Sequence, residues 1–368
     1  MRTAVITLHS VCNYGTQLQA FATQKKLEQY FDEVNFIDYR REDTYGIGLL
    51  KTFTKGNILK VPIIIPTLIY WKYVFGRFQK RNLSFTKQKY LNDDDLKKFI
   101  DEYDVYFTGS DQVWNTGWNN GIIPAMYLNF IPNNKPKYAY ASSFGKTSLN
   151  KNEILESKKY ITHFSKITVR ENSGVDILKK QYGYDNCERI IDPTLAFDGD
   201  FWRKYAPNSK IKEPYILIYN LNRSKEFDLY AEQLSKKTGY KLYRFCTRFD
   251  QIFRNGKSLV IPHIFEFISL IDNAKIVLTD SFHATAFSMN LNTEPICIYP
   301  ESYSSRLSEF LKLVGAEHRH AINYDDFDVL NRQTDFKKVN KILSNERKKI
   351  DNYLNDIIKE VKNEKAKK

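Results

Sequence analysis

Short runs of β-branched and aromatic residues alternate along the chain with longer amphipathic runs. In the first part of the chain, the short runs predict five strands, at residues 3–8, 34–38, 104–108, 137–141 and 166–169. The longer runs predict helices at residues 16–30, 150–164 and 173–182. This alternation is typical of parallel sheets whose strands are joined by crossover helices.

A second series of the same kind begins after a polar stretch at residues 208–214. It predicts strands at residues 215–219, 241–244, 276–279 and 295–299, with helices at residues 225–237 and 284–291. From Lys338 onward, apolar residues recur at three- and four-residue steps and predict one long terminal helix. We therefore predict two open α/β domains, residues 1–195 and 196–368, with a candidate active site in a cleft between them.

Composition narrows the class of protein. The chain has 368 residues, of which 42% are hydrophobic and 27% charged, which is typical of globular domains. Four scattered cysteines match no metal-binding or disulfide pattern, which favours a reducing compartment. The first apolar run is too short for a signal peptide, and the longest one, residues 61–76, is interrupted by Pro62, Pro66 and Lys72. We therefore expect a cytoplasmic protein without a membrane span.

The net charge of +13 is unevenly distributed. Residues 44–92, predicted to be a helical insertion in the first domain, contain nine Lys or Arg residues and no Asp or Glu. Large apolar residues are interleaved with these cations, a pattern that suits an anionic membrane surface or a lipid-linked phosphate. An ordinary helix hairpin with a solvated basic face is the alternative. Nucleic acid is not expected as a partner, because no recognition-helix, RNP-like or zinc-finger pattern is present.

Two polar motifs follow strands of the first domain. Asn13 and Gly15 come directly after the first strand, where glycine lets the backbone approach a ligand and the next helix favours an anion. A second motif follows the strand at residues 104–108, and its carboxylate, amides and aromatic ring suit a sugar; its residues are Ser110, Asp111, Gln112, Trp114 and Asn115. Asp111 is a candidate acceptor for the proton of a sugar hydroxyl. The alternatives are capped turns, with Trp114 in the core.

Arg170 ends the strand at residues 166–169 and is expected at the ligand edge of the sheet. A guanidinium binds carboxylate or phosphate through two parallel hydrogen bonds. The alternative is an ion pair with Glu171 or another neighbour.

Ser281 and His283 lie where a buried strand turns into an almost wholly apolar helix. Backbone N–H groups in the first turn of a helix attract an anion, and imidazole exchanges protons near neutral pH. Arg306 follows the next strand and is a candidate to bind the same anion, or else an ordinary surface residue of a helix.

In this order along the chain, five motifs resemble the polysaccharide pyruvyltransferase family: Asn13-Tyr14-Gly15, Gly109 to Asn115, Val169 to Gly174, Asp192-Pro193-Thr194-Leu195 and Ser281 to Ser288. The resemblance extends from the first strand to about Gly315. It implies two Rossmann-like domains in a GT-B-like arrangement, with the long C-terminal helix predicted above. It also implies transfer of pyruvate from phosphoenolpyruvate onto two hydroxyls of a sugar, as a ketal, with release of phosphate.

On that resemblance, His283 is the general acid that protonates the donor's methylene, and Asp111 takes a proton from the sugar. Arg170 and Arg306 are the cations for the donor's phosphate and carboxylate, with Ser281, Asn13 and Gly15 beside it. Ser110, Gln112, Trp114 and Asn115 are the acceptor-binding candidates. No metal or cofactor is expected. The protein would act at the inner face of the cell membrane if its acceptor is lipid-linked.

The chain departs from the family's pattern at two positions. Thr16 stands where many members carry an acidic residue, and Ser281 where many carry arginine. A nucleotide-sugar glycosyltransferase is one alternative, with a uridine or guanosine diphosphate at His283 and Glu301 as the ribose-binding carboxylate. The other is a sugar-binding protein without catalysis, which would tolerate the loss of His283.

Overall fold

The computed structural model describes residues 1–99, 102–222, 224–300 and 304–366. The chain forms two compact units, each containing one parallel sheet. Unit 1 comprises Met1–Leu49, Gln79–Ala196 and Asn345–Lys368, and unit 2 comprises Leu50–Phe78 and Phe197–Ser344.

The sheet of unit 1 has, among the described residues, the strand order β3-β2-β1-β4-β5-β6-β7, with all neighbours parallel. Its strands are β1 (Arg2–Ile6), β2 (Glu33–Tyr39), β3 (Phe85–Tyr90), β4 (Val105–Thr108), β5 (Lys137–Ser142), β6 (Lys166–Val169) and β7 (Cys187–Arg189). Every residue of β4 and β5 is buried, as expected when helices cover both faces of a parallel sheet.

The sheet of unit 2 has the order β10-β9-β8-β11-β12, again with parallel neighbours. Its strands are β8 (Tyr215–Tyr219), β9 (Lys241–Cys246), β10 (Lys257–Val260), β11 (Ile276–Thr279) and β12 (Glu294–Cys297). In each unit the chain adds strands to one side of its first strand and then to the other. The strand order therefore reverses between β1 and β4 in unit 1 and between β8 and β11 in unit 2, and such switch points are where open α/β sheets bind ligands.

The helices connect these strands and cover the sheets. They are α1 (Tyr14–Leu27), α2 (Gly46–Thr54), α3 (Val61–Asn82), α4 (Asp93–Leu96), α5 (Lys151–Ile161), α6 (Asn172–Asp176), α7 (Gly199–Arg203), α8 (Lys225–Thr238), α9 (Glu266–Asp272), α10 (Phe282–Leu291), α11 (Ser305–Val314) and α12 (Phe336–Ala366).

The predicted fold class, α/β with two parallel sheets and a long C-terminal helix, is confirmed. Three strands were not predicted: β3, β7 and β10. Each lies at a sheet edge and is incompletely buried, so none of them has the apolar run of a buried strand. The segment at residues 44–92, predicted to be helical, therefore also contains an edge strand.

Two segments belong to the unit opposite to the predicted one. Leu50–Phe78 packs in unit 2, where the indole Nε1 of Trp71 donates a hydrogen bond to the Thr247 carbonyl at 2.7 Å. Asn345–Lys368 packs in unit 1, where the Tyr353 hydroxyl donates to the Ala139 carbonyl at 2.9 Å. Both segments belong to these units because they pack against residues far away in the sequence, and the order of elements along the chain does not reveal such contacts.

The apolar helix of the insertion is also longer than the pattern predicts. Proline is tolerated in the first turn of a helix, so Pro62 does not end α3, and the helix continues through Pro66 to Asn82. By length and composition alone, Ile58–Asn82 is one segment, within the described ranges, that is able to cross a membrane. The apolar run predicted to be too short for a span is therefore part of a longer helix, several of whose apolar side chains are buried.

Candidate functional site

Asn13, Gly15 and Asp111 lie together at the switch point of unit 1. The Asn13 side chain caps α1 by accepting a hydrogen bond from the Thr16 backbone N–H at 3.3 Å. The Thr16 hydroxyl donates to Asp111 Oδ2 at 2.6 Å, across the boundary between β1 and β4. Thr16, the residue that departs from the family pattern, thus orients the carboxylate predicted to be the base.

The backbone is strained where β4 and β5 end. Asp111 has a φ of 78° and Ala141 a φ of 53°, both in the left-handed region. Such a conformation costs a non-glycine residue roughly 1–3 kcal/mol and persists only where the surroundings enforce it, most often at functional sites. An isolated bridge pairs Asp111 with Ser142, so both strained positions belong to one strand edge.

Arg170 faces three carboxylates. Its Nη1 donates to Asp192 Oδ2 at 2.6 Å, Nη2 lies 3.5 Å from Asp111 Oδ1, and Nε lies 3.7 Å from Glu171 Oε1. Only 1% of the Arg170 side chain is exposed. The carboxylates are held in turn by hydroxyls, since Ser143 donates to Glu171 at 2.8 Å.

This cluster changes the interpretation of Arg170. Burial tends to lower the pKa of its guanidinium, but Asp192, Glu171 and Asp111 outweigh burial and the pKa is raised above the ordinary value. The positive charge is thus compensated inside unit 1, in agreement with the ion-pair alternative. Its role as a donor-binding cation stays a prediction.

The predicted acceptor-binding residues are mostly buried. Trp114 is 1% exposed, donates its indole N–H to the Met126 carbonyl at 3.0 Å and stacks on Tyr127. Its ring has no face open to a sugar, which corresponds to the core alternative and not to the predicted sugar-facing position. Ser110 is also fully buried, and its hydroxyl donates to Asp192.

Gln112 and Asn115 contact each other and close over Gly145. The Asn115 amide donates to Gln112 Oε1, and a Cβ atom at Gly145 would lie 2.3 Å from that oxygen. With a φ of 60°, Gly145 has a backbone conformation that favours glycine, and a larger residue there would also displace the Gln112 side chain. Asn115 is fully buried and caps the following turn, whereas Gln112 is partly exposed. Of the four acceptor-binding candidates, Gln112 has the most accessible side chain.

In unit 2, Asp280 joins the loops that follow β8 and β11. Its carboxylate accepts hydrogen bonds from the backbone N–H of Leu221 at 2.7 Å and from that of Asn222 at 2.8 Å. Burial raises the pKa of Asp280 above its ordinary value, against the opposite effect of these hydrogen bonds. Asp280 thus fixes the switch point of unit 2 from which α10 begins.

Ser281 and His283 form the start of α10. Ser281 is the N-cap, with its side chain oriented toward the Ala284 N–H at 3.5 Å and its carbonyl accepting from the Thr285 hydroxyl at 3.0 Å. His283 is buried in the first turn, where helix N–H groups favour an anion. The sequence predicts that Ser281 binds the donor. In the structure, Ser281 caps α10 and stabilises this turn.

The side chains of His283 and Arg306 both lie near the ring of Phe282. The His283 and Phe282 rings meet edge to face with centroids 5.3 Å apart, and Arg306 Cζ lies 5.9 Å from the Phe282 centroid. Arg306 lies in the first turn of α11 and is partly exposed. The predicted cation and the predicted acid therefore both lie within 6 Å of the Phe282 ring. Glu301, the carboxylate of the glycosyltransferase alternative, lies outside the described residues.

The sequence did not predict a cluster next to the switch point of unit 1, in which His9 is buried and Asp38 and Arg40 are partly exposed. His9 Nε2 lies 3.2 Å from Asp38 Oδ1, to which Arg40 Nε donates at 2.6 Å. Burial tends to raise the pKa of Asp38, but His9 and Arg40 outweigh it and lower the pKa from 3.8 to about 2. The available sequence signal was an acidic residue at the end of a strand, which gains meaning only once β1 and β2 are known to be neighbours.

Asp38→Asn is expected to lower the free energy of unfolding at pH 7 by about 2 kcal/mol. Because the folded-state pKa is depressed, this stabilisation is present above the unfolded-state pKa and disappears as the pH falls through about 2. The difference from wild type should shrink to about half at pH 3. Urea unfolding at both pH values checks this, with exposed Asp176→Asn as the control. An equal difference at both pH values would contradict it.

Comparisons with known proteins agree with this architecture. The Rickettsia bellii UDP-N-acetylglucosamine 2-epimerase superimposes with a TM-score of 0.53 at 12% identity, covering 98% of each chain. The Methanocaldococcus jannaschii UDP-GlcNAc 2-epimerase, in complex with UDP-GlcNAc and UDP, gives 0.52 at 14% identity, covering 93% of each. At these identities the likeness shows the fold alone, and it is GT-B-like, as predicted. No curated protein matches the chain significantly.

The sequence profile of one family, described as polysaccharide pyruvyl transferase, matches residues 13–302. The match begins at the residue that caps α1 and includes the Asp111 motif, Arg170 and the Ser281–His283 turn. The match covers more than three quarters of the chain, including the loops that follow β4 and β11. The chain belongs to the polysaccharide pyruvyl transferase family and is a transferase.

Proposed function

We propose that the protein transfers pyruvate from phosphoenolpyruvate to a sugar of a surface polysaccharide or of its lipid-linked precursor. The observation that carries the proposal is the start of α10, where His283 lies in the first turn and Arg306 lies against the same phenyl ring. A helix N-terminus and a guanidinium together suit the phosphate and carboxylate of the donor. The protein would bind its acceptor at the inner face of the cell membrane.

The chemistry requires one acid and one base. His283 donates a proton to the donor's methylene, which becomes the methyl group and leaves C2 electrophilic. A sugar hydroxyl attacks C2 and loses its proton, for which Asp111 is the base. The C2–O bond to phosphate then breaks, phosphate leaves with the electron pair, and the second hydroxyl attacks C2 and closes the ketal. Of the two hydroxyl protons, one replaces the proton that His283 gave to carbon and the other leaves on phosphate as hydrogenphosphate.

Asp111 suits the acceptor side because its carboxylate is fixed. Thr16 and the backbone N–H of Gln112 donate to its two oxygens at 2.6 and 2.9 Å. Arg170 acts in this proposal as a positioning residue for Asp111 rather than as a ligand of the donor, because its charge is compensated by three carboxylates.

The proposal is tested by incubating the protein with phosphoenolpyruvate and a panel of sugar and lipid-linked acceptors. We expect phosphate release that depends on the acceptor, and an acceptor mass increased by pyruvate less one water. Thermal shifts with phosphoenolpyruvate and with nucleotide sugars provide an independent readout. A shift with uridine or guanosine diphosphate sugars but not with phosphoenolpyruvate, together with no phosphate release, would favour a glycosyltransferase and refute the proposal.

A further inference from the structure

Helix α3 has two apolar faces, and only one of them is covered by protein. The covered face packs within unit 2 and consists of Ile64, Thr67, Trp71, Val74, Phe75 and Phe78. Two hydrogen bonds fix this face: Trp71 Nε1 donates to the Thr247 carbonyl at 2.7 Å, and the Phe249 N–H donates to the Thr67 hydroxyl at 3.1 Å.

The other face, which we call the outer face, is exposed. It comprises Ile63, Ile65, Ile69, Tyr70 and Tyr73 of α3, together with Ile58 and Leu59 of the turn before it, with Leu59 80% exposed and Ile69 66% exposed. Ile65, Ile69 and Tyr73 follow at four-residue steps and therefore lie in one row along the helix. Contiguous exposed apolar surface of this kind marks a site of contact with a partner or a membrane.

The charges of the insertion indicate which kind of partner the outer face binds. The unit 2 part of the insertion, Leu50–Phe78, contains Lys51, Lys55, Lys60, Lys72 and Arg77, all exposed, and no acidic residue. Arg77 lies over the Tyr73 ring and donates to its hydroxyl at 2.6 Å, so the last cation is held at the edge of the outer face. An apolar row on a segment whose own charges are all cations complements a surface with an apolar interior and anionic headgroups.

We propose that the outer face binds an anionic lipid bilayer, with α3 lying in the plane of the interface. Although α3 is long enough to span a bilayer, its covered face is fixed to unit 2 by the hydrogen bonds of Trp71 and Thr67. A spanning helix would have to break these contacts and bring Lys72 into the hydrocarbon, whereas a helix on the surface keeps both.

The test uses the full-length protein in flotation assays with phosphatidylcholine vesicles and with mixed phosphatidylcholine–phosphatidylglycerol vesicles. We expect binding to the mixed vesicles that weakens at high salt. Ile65→Glu/Ile69→Glu should reduce the partition coefficient at least about tenfold, because it removes two buried apolar side chains from the interface. Lys60→Glu/Lys72→Glu should reduce binding to the mixed vesicles by about tenfold.

Leu229→Glu in unit 2 and Leu155→Glu in unit 1 are matched controls, because these leucines are 55% and 74% exposed but lie outside the insertion. Both should bind vesicles like wild type. Wild-type binding by Ile65→Glu/Ile69→Glu would overturn the proposal, as would resistance to extraction at alkaline pH, which indicates a span. A concentration-dependent dimer that this variant abolishes, without any vesicle binding, would assign the outer face to a second copy instead.

The proposal does not depend on the donor chemistry. Turnover of a water-soluble acceptor is expected to be unchanged in Ile65→Glu/Ile69→Glu, since neither residue lies at a switch point. Loss of vesicle binding and loss of pyruvyl transfer are therefore distinguishable outcomes.

Discussion

His283→Ala is expected to lower kcat by about 10²–10⁴-fold, which is what a positioned general acid contributes. In His283→Gln, kcat should fall by as much, because glutamine restores size and polarity but has no group that acts as a general acid at neutral pH. KM for phosphoenolpyruvate should change little in both variants, since our proposal assigns phosphate binding to the backbone of α10 and to Arg306. Phosphate release under saturating acceptor measures both quantities.

The control for this prediction is His263→Ala, because His263 is an exposed histidine of unit 2 whose ring lies near Tyr73 of α3. It should retain wild-type kcat. Unchanged turnover in His283→Gln would refute the acid role. A raised KM with unchanged kcat would instead assign His283 to anion binding.

Arg306 offers a complementary result. In the proposed site Arg306 binds the donor and His283 is the acid, so Arg306→Ala should weaken donor binding without removing the acid. The two variants should therefore affect different kinetic constants: kcat should fall in His283→Gln, and KM for phosphoenolpyruvate should rise in Arg306→Ala.

Much of the fold could be predicted from the sequence because buried parallel strands are continuous apolar runs. The predicted strands at residues 166–169, 215–219 and 276–279 match β6, β8 and β11 at both ends. The turns that carry Asp111 and His283 follow from the same signal, since each comes directly after a fully buried strand.

What could not be predicted depends on contacts between residues far apart in sequence. The carboxylate closest to Arg170 is Asp192, which follows β7, and this pairing emerges only from the strand order. Trp114 belongs to a motif that suits a sugar, but Tyr127 and Met126 turn its ring into the core. The assignment of Leu50–Phe78 to unit 2 rests on Thr247 and Phe249, nearly two hundred residues away.

Arg170→Met is expected to lower the free energy of unfolding by about 3–5 kcal/mol, since it leaves buried carboxylates without their cation. Asp192 is fully buried and Glu171 nearly so, so neither can turn to solvent. Protonation relieves the repulsion between them, and the loss of stability should therefore be smaller at pH 4 than at pH 7. Urea unfolding at the two pH values measures this dependence.

A double variant separates this charge compensation from donor binding. Asp192→Asn in the Arg170→Met background removes one of the uncompensated charges and should restore part of the lost stability, giving a coupling energy of about 1–3 kcal/mol in the mutant cycle. Arg170→Lys keeps the charge but not the forked geometry that contacts three carboxylates. We therefore expect this variant to be less stable than wild type but to have an unchanged KM for phosphoenolpyruvate. If instead Arg170→Lys raises KM while Arg170→Met unfolds within about 1 kcal/mol of wild type, the guanidinium is a ligand of the donor and the charge cluster is incidental.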